Sequence, residues 1–263
     1  MTPAVGIAGI GLLGPGFAGW AAARPVLMGL APHEAAPLTP PVPALLPATE
    51  RRRTGPSVRM ALAVAAEAVQ HSGLPPEELD TIFASSNGEA QVIVSILEAL
   101  HAPDGAISPT QFHNSVHNAA AGYWGIAVGS ARPSVSLGGH DYVFATGLMQ
   151  AVAQVVAQHA PVLLVAHDVP LPAPLTALRP GDGSFAVALV LVPGAAAHGM
   201  LRVGYDAKGD AVEPPLPAAF EAIRAGNPVA RALPLLIALA AGRSAALRLA
   251  LPETAALDIQ VAP

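Results

Sequence analysis

SVSLGGHDYVFATGLMQAVAQVVAQHAPVLLVA, residues 134–166, contains a strand, a helix and a second strand in direct succession. Residues 134–138 and 161–166 are short apolar runs that predict strands, and residues 142–158 between them predict a helix. Strands that alternate with helices are typical of an α/β fold with a mainly parallel sheet covered on both faces.

The same alternation extends outward in both directions. Strands are predicted at residues 5–13, 81–86, 185–192 and 200–205, and helices at residues 57–72, 91–100 and 114–128. Ser57 is placed to cap the first of these helices and Gly73 to stop it. Residues 32–48 are rich in proline and predict an irregular surface segment. Towards the end, residues 218–225 and 229–241 read as helices, and residues 247–251 and 258–261 are strand-like.

Composition excludes several classes of function. The formal charge of −5 and the 12% of charged residues argue against a nucleic-acid partner. No apolar run approaches the length of a membrane span, and the first residues lack the basic region of a signal peptide, so we expect a cytoplasmic protein. The absence of cysteine removes every thiol nucleophile, and Lys208 is the one lysine.

Three local motifs suggest enzyme sites. Residues 9–14 match the dinucleotide fingerprint, but Pro15 and Gly16 follow where a phosphate-binding helix should begin. His113 and His117 are one helical turn apart, yet a third metal ligand is missing, although His140 or His167 could supply one. Ser85 and Ser86 lie in turn-forming sequence but lack the glycine of a hydrolase elbow. We therefore expect no cofactor and no metal.

Residues 107–122 and 132–141 are the most informative part of the chain. They read ISPTQFHNSVHNAAAG and RPSVSLGGHD. In these segments the chain resembles the β-ketoacyl synthases. In that family a Ser-Pro opening, a helix with Asn and Ala-Gly, and a Ser-rich strand lead to a nucleophilic cysteine at a helix N-terminus. The resemblance covers about residues 4–193 and places Asp141 at or next to the position of that cysteine.

The resemblance implies a catalytically silent member of the family. A carboxylate is a poor acyl carrier where the family uses a thiolate. The two histidine contexts of the family's second half, His-Gly-Thr-Gly-Thr and Asn-x-Phe-Gly-His, do not occur after residue 193. Family members without the cysteine are chain-length factors, and the half-length form resembles those of aryl polyene biosynthesis. We expect Asp141 to serve as a helix cap rather than as a catalyst.

The resemblance also predicts a fold, a partner and an interface. We expect a thiolase-like α/β domain, a mixed five-stranded sheet covered by helices, in residues 1–193, and a small extension in residues 194–263. The expected partner is an active ketosynthase, whose acyl tunnel the chain shapes, with an acyl carrier protein reached through the complex. The predicted interface residues are Gln111, Phe112, His113, Ser134, Val135, Ser136, Leu137 and Gly138. Alternatives are a stand-alone metal or serine hydrolase and a carrier-protein docking module.

Overall fold

The computed structural model of the chain describes residues 3–179, 181, 183–209 and 213–263. In chain order its elements are β1 (Ala4–Gly14), β2 (Phe17–Ala18), α1 (Trp20–Leu27), α2 (Ala48–Arg51), α3 (Pro56–Ser72), β3 (Asp80–Ala84), α4 (Ala90–His101), α5 (Pro109–Asn114), α6 (Ala119–Val128), β4 (Ser134–Leu137), α7 (Val143–Gln158), β5 (Val162–Asp168), β6 (Phe185–Pro193), β7 (Met200–Asp206), α8 (Ala218–Gly226), α9 (Leu233–Ala241), β8 (Ala245–Ala250) and β9 (Ala256–Ala262). Short 3-10 turns include His140–Tyr142, before α7, and Pro228–Ala232, before α9.

The strands form one mixed sheet in the order β4-β3-β5-β6-β1-β7-β9-β8, and β2 pairs with the end of β1. β4, β3 and β5 are parallel, whereas the pairs from β5–β6 to β9–β8 are antiparallel. The predicted α/β class and the mixed, helix-covered sheet are confirmed. The sheet has nine strands in the described residues rather than five, because β2, β7, β8 and β9 join it.

Helices cover both faces of the central strands and create two apolar cores. Alternate residues of a strand point to opposite faces, so Ile82 and Leu164 enter the core that contains α1, α7 and α9. Phe83 and Leu163 enter the other core, beneath α3 and α6. The central strands are therefore buried on both sides, as their continuous apolar sequence predicts.

The glycines of the fingerprint-like segment lie inside β1 and serve packing. A Cβ at Gly9 would lie 2.0 Å from the carbonyl oxygen of Ala68, and one at Gly11 would lie 2.1 Å from that of Val64. Both oxygens belong to α3, which crosses β1 at close range. The glycines therefore permit a helix to approach a strand, and the strand continues where a phosphate-binding turn would be needed.

Two helix predictions need correction. α3 begins at Pro56, with Gly55 at its N-cap and no side-chain cap, because the Ser57 hydroxyl is directed to His167. The helix predicted at residues 114–128 begins later, at Ala119, because the chain turns between residues 115 and 118 after the separate helix α5, which ends at Asn114. Gly73 ends α3 in the left-handed conformation (φ 66°), as predicted.

The segments after β6 add to the same sheet. β7 pairs with β1, and β9 and β8 follow outward from β7. α9 packs on β8 and β9, while the 3-10 turn before it contacts α7 and β6. Residues 33–43 have no regular secondary structure, in agreement with their proline content. The division of the chain at residue 193 stays a proposal.

Candidate functional site

The candidate site lies where β3, β4 and β5 end. These strands are parallel neighbours, so their carboxyl ends meet at one edge of the sheet. The loop at residues 85–89 follows β3, the turn at residues 138–142 follows β4, and His167 and Asp168 complete β5. The topology thus assembles the serines, histidines and Asp141 that the sequence singled out separately.

Asp168 organises the loop after β3. Its carboxylate is fully buried and accepts the Ser85 hydroxyl at 2.8 Å, the Ser86 N–H at 3.0 Å and the Asn87 N–H at 2.8 Å. Burial raises the pKa of Asp168, while these hydrogen bonds oppose that change. All three donors belong to the loop after β3, so the carboxylate holds that loop in place and has a structural role.

Neither serine has the environment of an activated nucleophile. Ser85 is buried, and its hydroxyl oxygen also accepts the Gly88 N–H at 2.8 Å. The Ser86 hydroxyl donates to the His140 carbonyl oxygen. Within the described residues no imidazole forms a hydrogen bond with either hydroxyl, so the pairing that serine hydrolysis requires is not assembled here.

The histidines have separate partners. His117 Nε2 donates to the Ser85 carbonyl oxygen at 2.9 Å, whereas the His113 ring lies edge-on to Tyr123. His167 Nδ1 lies 3.1 Å from the Ser57 hydroxyl, and burial lowers its pKa to about 3, with a smaller contribution from His117. The part of the chain that the structure describes contains no group of three side chains suited to a metal ion.

Asp141 forms an ion pair and caps no helix, which corrects the expected role. It lies in the turn before α7, and neither that turn nor α7 has a side-chain cap among the described residues. Its carboxylate accepts Arg179 Nη2 at 2.7 Å and lies 3.3 Å from His140 Nδ1. Arg179 Nη1 also donates to Asn87 Oδ1 at 3.3 Å. Arg179 therefore joins the turn after β4 to the loop after β3.

Glu89 is a site residue that sequence reasoning missed. Its side chain is buried, and Oε1 accepts the Val58 N–H at 3.1 Å in the first turn of α3. Burial raises the pKa of Glu89 to about 7, although hydrogen bonds from Ser57 and Val58 oppose the shift. The sequence gives no signal for this, because the contact joins residues 31 positions apart.

β4 is the outer strand at the parallel end of the sheet. Val135 and Leu137 pack partly against the core of the chain, and Ser134 and Gly138 are exposed. The carbonyl oxygens of residues 133 and 137 bond to β3, so in a parallel ladder the backbone groups of Ser134 and Ser136 face the free edge. A groove of about 750 Å³ lies between this edge and α6.

The other predicted interface segment, residues 111–113, lies in a helix. α5 carries Gln111, Phe112 and His113, and the Phe112 side chain is 68% exposed. Asn114 anchors the helix: its Nδ2 donates to the Arg53 carbonyl oxygen and its Oδ1 accepts the Tyr123 hydroxyl, both at 2.9 Å. Asn114 thus fixes the C-terminal end of α5, while the apolar side chain of Phe112, two residues before it, is exposed.

In the described part of the chain, no helix combines the length and apolar character needed to cross a membrane.

Comparison with known proteins agrees with this architecture. The family described as the β-ketoacyl synthase N-terminal domain matches residues 20–213. The chain is similar to one in the complex of a ketosynthase (ApeO) with its chain length factor (ApeC) from Xenorhabdus doucetiae. The TM-score is 0.74 at 21% identity, and the match covers 99% of both chains.

Two further solved structures resemble the chain at 14% identity. One is the ishigamide ketosynthase/chain length factor, with a TM-score of 0.71 over 98% of this chain and 99% of the other. The other is AntDE:AntF, an acyl-carrier protein in complex with its ketosynthase. Its TM-score is 0.76, and the match covers 100% of this chain and 99% of the other. At these identities the likeness establishes the fold. No curated protein sequence matches the chain.

Proposed function

Because the chain belongs to the family of β-ketoacyl synthase N-terminal domains, we propose that it is a non-condensing subunit that acts like a chain-length factor. In this proposal it pairs with an active ketosynthase and forms part of the wall of its acyl tunnel. The product class is a polyketide or fatty-acyl-type chain, such as an aryl polyene. An acyl carrier protein delivers substrates to the complex, and the partner performs the chemistry.

The observation that carries the proposal is the Asp141–Arg179 ion pair at the turn before α7. By its resemblance to the family, this turn is where the acyl-accepting cysteine would lie. A carboxylate held by a guanidinium is a poor nucleophile for acyl transfer, and the chain has no cysteine elsewhere.

The chain also lacks the second set of condensing groups. In the family, two histidines bind and decarboxylate the extender thioester. His198 is the one histidine after residue 193, and neither family context surrounds it. A chain without the cysteine and without these histidines needs a partner for condensation.

The free edge of β4 supports the position of that partner. An unpaired strand edge is an aggregation hazard unless another strand covers it. An antiparallel strand from the ketosynthase would complete the ladder at the backbone groups of Ser134 and Ser136. Phe112, exposed on α5, would then enter the partner's tunnel, with Gln111 and His113 beside it.

The similar solved structures support a heteromeric role. Those proteins are complexes of a ketosynthase with a chain length factor, or of a ketosynthase with its acyl-carrier protein. The matches cover nearly the whole length of this chain and of the chains it resembles.

The decisive experiment targets the backbone of β4. Leu137 packs against the core of the chain itself. Its substitution by aspartate would therefore destabilise the fold as well as the interface, and a loss of the complex could not be assigned to either effect. Ser136→Pro removes an N–H that faces the free edge and spares the hydrogen bonds of β4 to β3, because residues 133, 135 and 137 are those that pair with β3. Ser136→Ala keeps that N–H and is the matched control.

The chain is co-expressed with a neighbouring ketosynthase, and the complex is measured by size-exclusion chromatography. Wild type and Ser136→Ala should co-elute with the ketosynthase, while Ser136→Pro should elute as a folded, separate chain. A wild-type chain that stays monomeric beside its ketosynthase would refute the proposal. Binding of carrier protein alone would favour the docking-module alternative instead.

A further inference from the structure

A second group of polar side chains lies far from the candidate site. α3 begins beside His167 at the candidate site, and His71 lies in its last turn, about 20 Å further along the helix axis. There a pocket of about 470 Å³ opens between α1, α3 and the loop before β7. Its lining residues are Trp20, Ala21, Arg24, Pro25, Met28, Leu30, His71 and His198.

One side of the pocket is lined by Arg24, His71 and His198. His71 Nδ1 donates to the Ile10 carbonyl oxygen at 2.7 Å, which leaves its Nε2 free to donate to another group when the ring is protonated. The His71 and His198 rings lie 6.5 Å apart, centre to centre. Burial lowers the pKa of His198, and His71 and Arg24 lower it further. One guanidinium group and two imidazole rings are therefore close together in this pocket.

No carboxylate within the described residues lies at ion-pair distance from Arg24, His71 or His198. Glu67, one turn before His71 on α3, does not line the pocket. Its oxygens accept the backbone N–H groups of Leu12 and Trp20. Arg24 donates to the Ala240 carbonyl oxygen at 3.3 Å, a long contact that leaves other guanidinium donors free.

The remaining wall is apolar. Trp20, Pro25, Met28 and Leu30 form this side.

We propose that this pocket binds a phosphate monoester that carries an apolar group, with the phosphate at Arg24, His71 and His198. The apolar group lies against Met28 and Leu30. The site is independent of the assembly proposed above, because it occupies the opposite end of α3 from α5 and the turn after β4.

Binding is tested on the full chain by NMR of the histidine ring protons, with sulfate, inorganic phosphate and phenyl phosphate as probes. Sulfate keeps its charge between pH 5.5 and 8, so a change in its affinity reports on the protein. We expect sulfate to bind more weakly at pH 8 than at pH 5.5, because the loss of a proton from His198, whose pKa is lowered by burial, removes a positive charge from the pocket. Phenyl phosphate should compete with sulfate and bind at least about fivefold more tightly than inorganic phosphate.

Variants locate the site. Arg24→Ala and His198→Ala should each weaken phenyl phosphate binding at least about tenfold, while circular dichroism shows that both remain folded. Arg202→Ala and His101→Ala remove an exposed arginine and an exposed histidine elsewhere and should change nothing. The proposal is overturned if no probe saturates, if both pocket variants bind normally, or if phenyl phosphate has no advantage over inorganic phosphate.

Discussion

Glu89 shows how one buried acid couples this fold to pH. The folded state holds its carboxyl group out of water, and burial raises its pKa from 4.5 to about 7. The folded chain therefore binds a proton that the unfolded chain releases above pH 4.5. The resulting contribution to stability is fully present below pH 4.5 and is lost as the pH rises through 7.

Glu89→Gln removes this titration and keeps an oxygen for the Val58 N–H. Relative to wild type, its free energy of unfolding should rise between pH 4.5 and pH 8 by up to about 3 kcal/mol. Denaturant unfolding of both proteins at pH 4.5, 6 and 8 measures the difference. His167 and Asp168 are present in both proteins, so their contributions to the pH dependence cancel in the difference. Glu98→Gln, on the exposed side of α4, is the control, and parallel profiles for Glu89→Gln and wild type would contradict the prediction.

Asp141→Asn should be mild. The carboxylate is 45% exposed, and exposed ion pairs contribute at most about 1 kcal/mol. The amide oxygen can still accept Arg179 Nη2, so the turn before α7 should keep its shape. We expect the activity of the complex with a ketosynthase to stay within about tenfold of wild type. Complete loss of condensation by an intact complex would instead reveal a chemical role for the carboxylate.

At the scale of elements, the contact of β1 with α3 determines how closely the first strand and the first long helix pack. Gly9 and Gly11 face the carbonyl oxygens of Ala68 and Val64 on α3. Backbone atoms cannot move aside as a flexible side chain can. This contact fixes the position of α3 over the sheet. As a result, Ser57 lies at the candidate site and His71 lies at the pocket between α1, α3 and the loop before β7.

Gly11→Ala should destabilise the isolated chain by at least about 2 kcal/mol, because its Cβ overlaps the Val64 carbonyl group. Gly122→Ala is the control: it lies in α6, and its Cβ would meet nothing within 4 Å. Replacement of a helical glycine by alanine is worth about 0.5–1 kcal/mol of stability. Denaturant midpoints that shift equally in the two variants would contradict the packing argument.

α5 offers a prediction about product length. Its C-terminal end is held by Asn114, whereas the Phe112 side chain is exposed in the isolated chain. Phe112→Ala should therefore leave the heterodimer intact and change the length distribution of the products, because it alters the tunnel rather than the strand pairing. Mass spectrometry of products from the reconstituted complex makes the comparison, with Val116→Ala as a control on a neighbouring exposed residue. Unchanged products would place Phe112 outside the tunnel.

At the scale of the whole molecule, the two ends of the sheet differ. At the antiparallel end, β8 closes a series of antiparallel strands, and Arg248 bridges Asp206 and Asp258 on its surface. At the parallel end, β4 has a free edge next to the groove along α6. A stable heterodimer through this end should bury more than about 2,000 Å² in total.

The isolated chain should show no condensing or acyl-transfer activity. It has no thiol, and each candidate nucleophile after β3 is held in a structural hydrogen bond. The assay combines purified chain with acyl and malonyl carrier proteins and follows condensation by mass spectrometry. The same mixture with the ketosynthase added is the positive control. Condensation by the chain alone would overturn the proposed function.

The sequence by itself determined the class of fold, because period and length of apolar runs are local properties. The strands at residues 185–192 and 200–205, the helix stop at Gly73 and the irregular proline-rich segment could all be predicted. The missing cysteine could be read directly, since the absence of a residue type needs no structure. The order of motifs in residues 107–141 was sufficient to indicate the family.

Only the tertiary structure decided which side chains meet. Asp141 pairs with Arg179, which is 38 residues away in the chain, and Glu89 with Val58, which is 31 residues away. No local sequence pattern encodes contacts at such separations. The same reason explains the errors: Ser57 and Asp141 look like caps locally, but His167 and Arg179 provide stronger partners in space. The glycines that match a nucleotide-binding fingerprint likewise serve the close packing of α3 on β1.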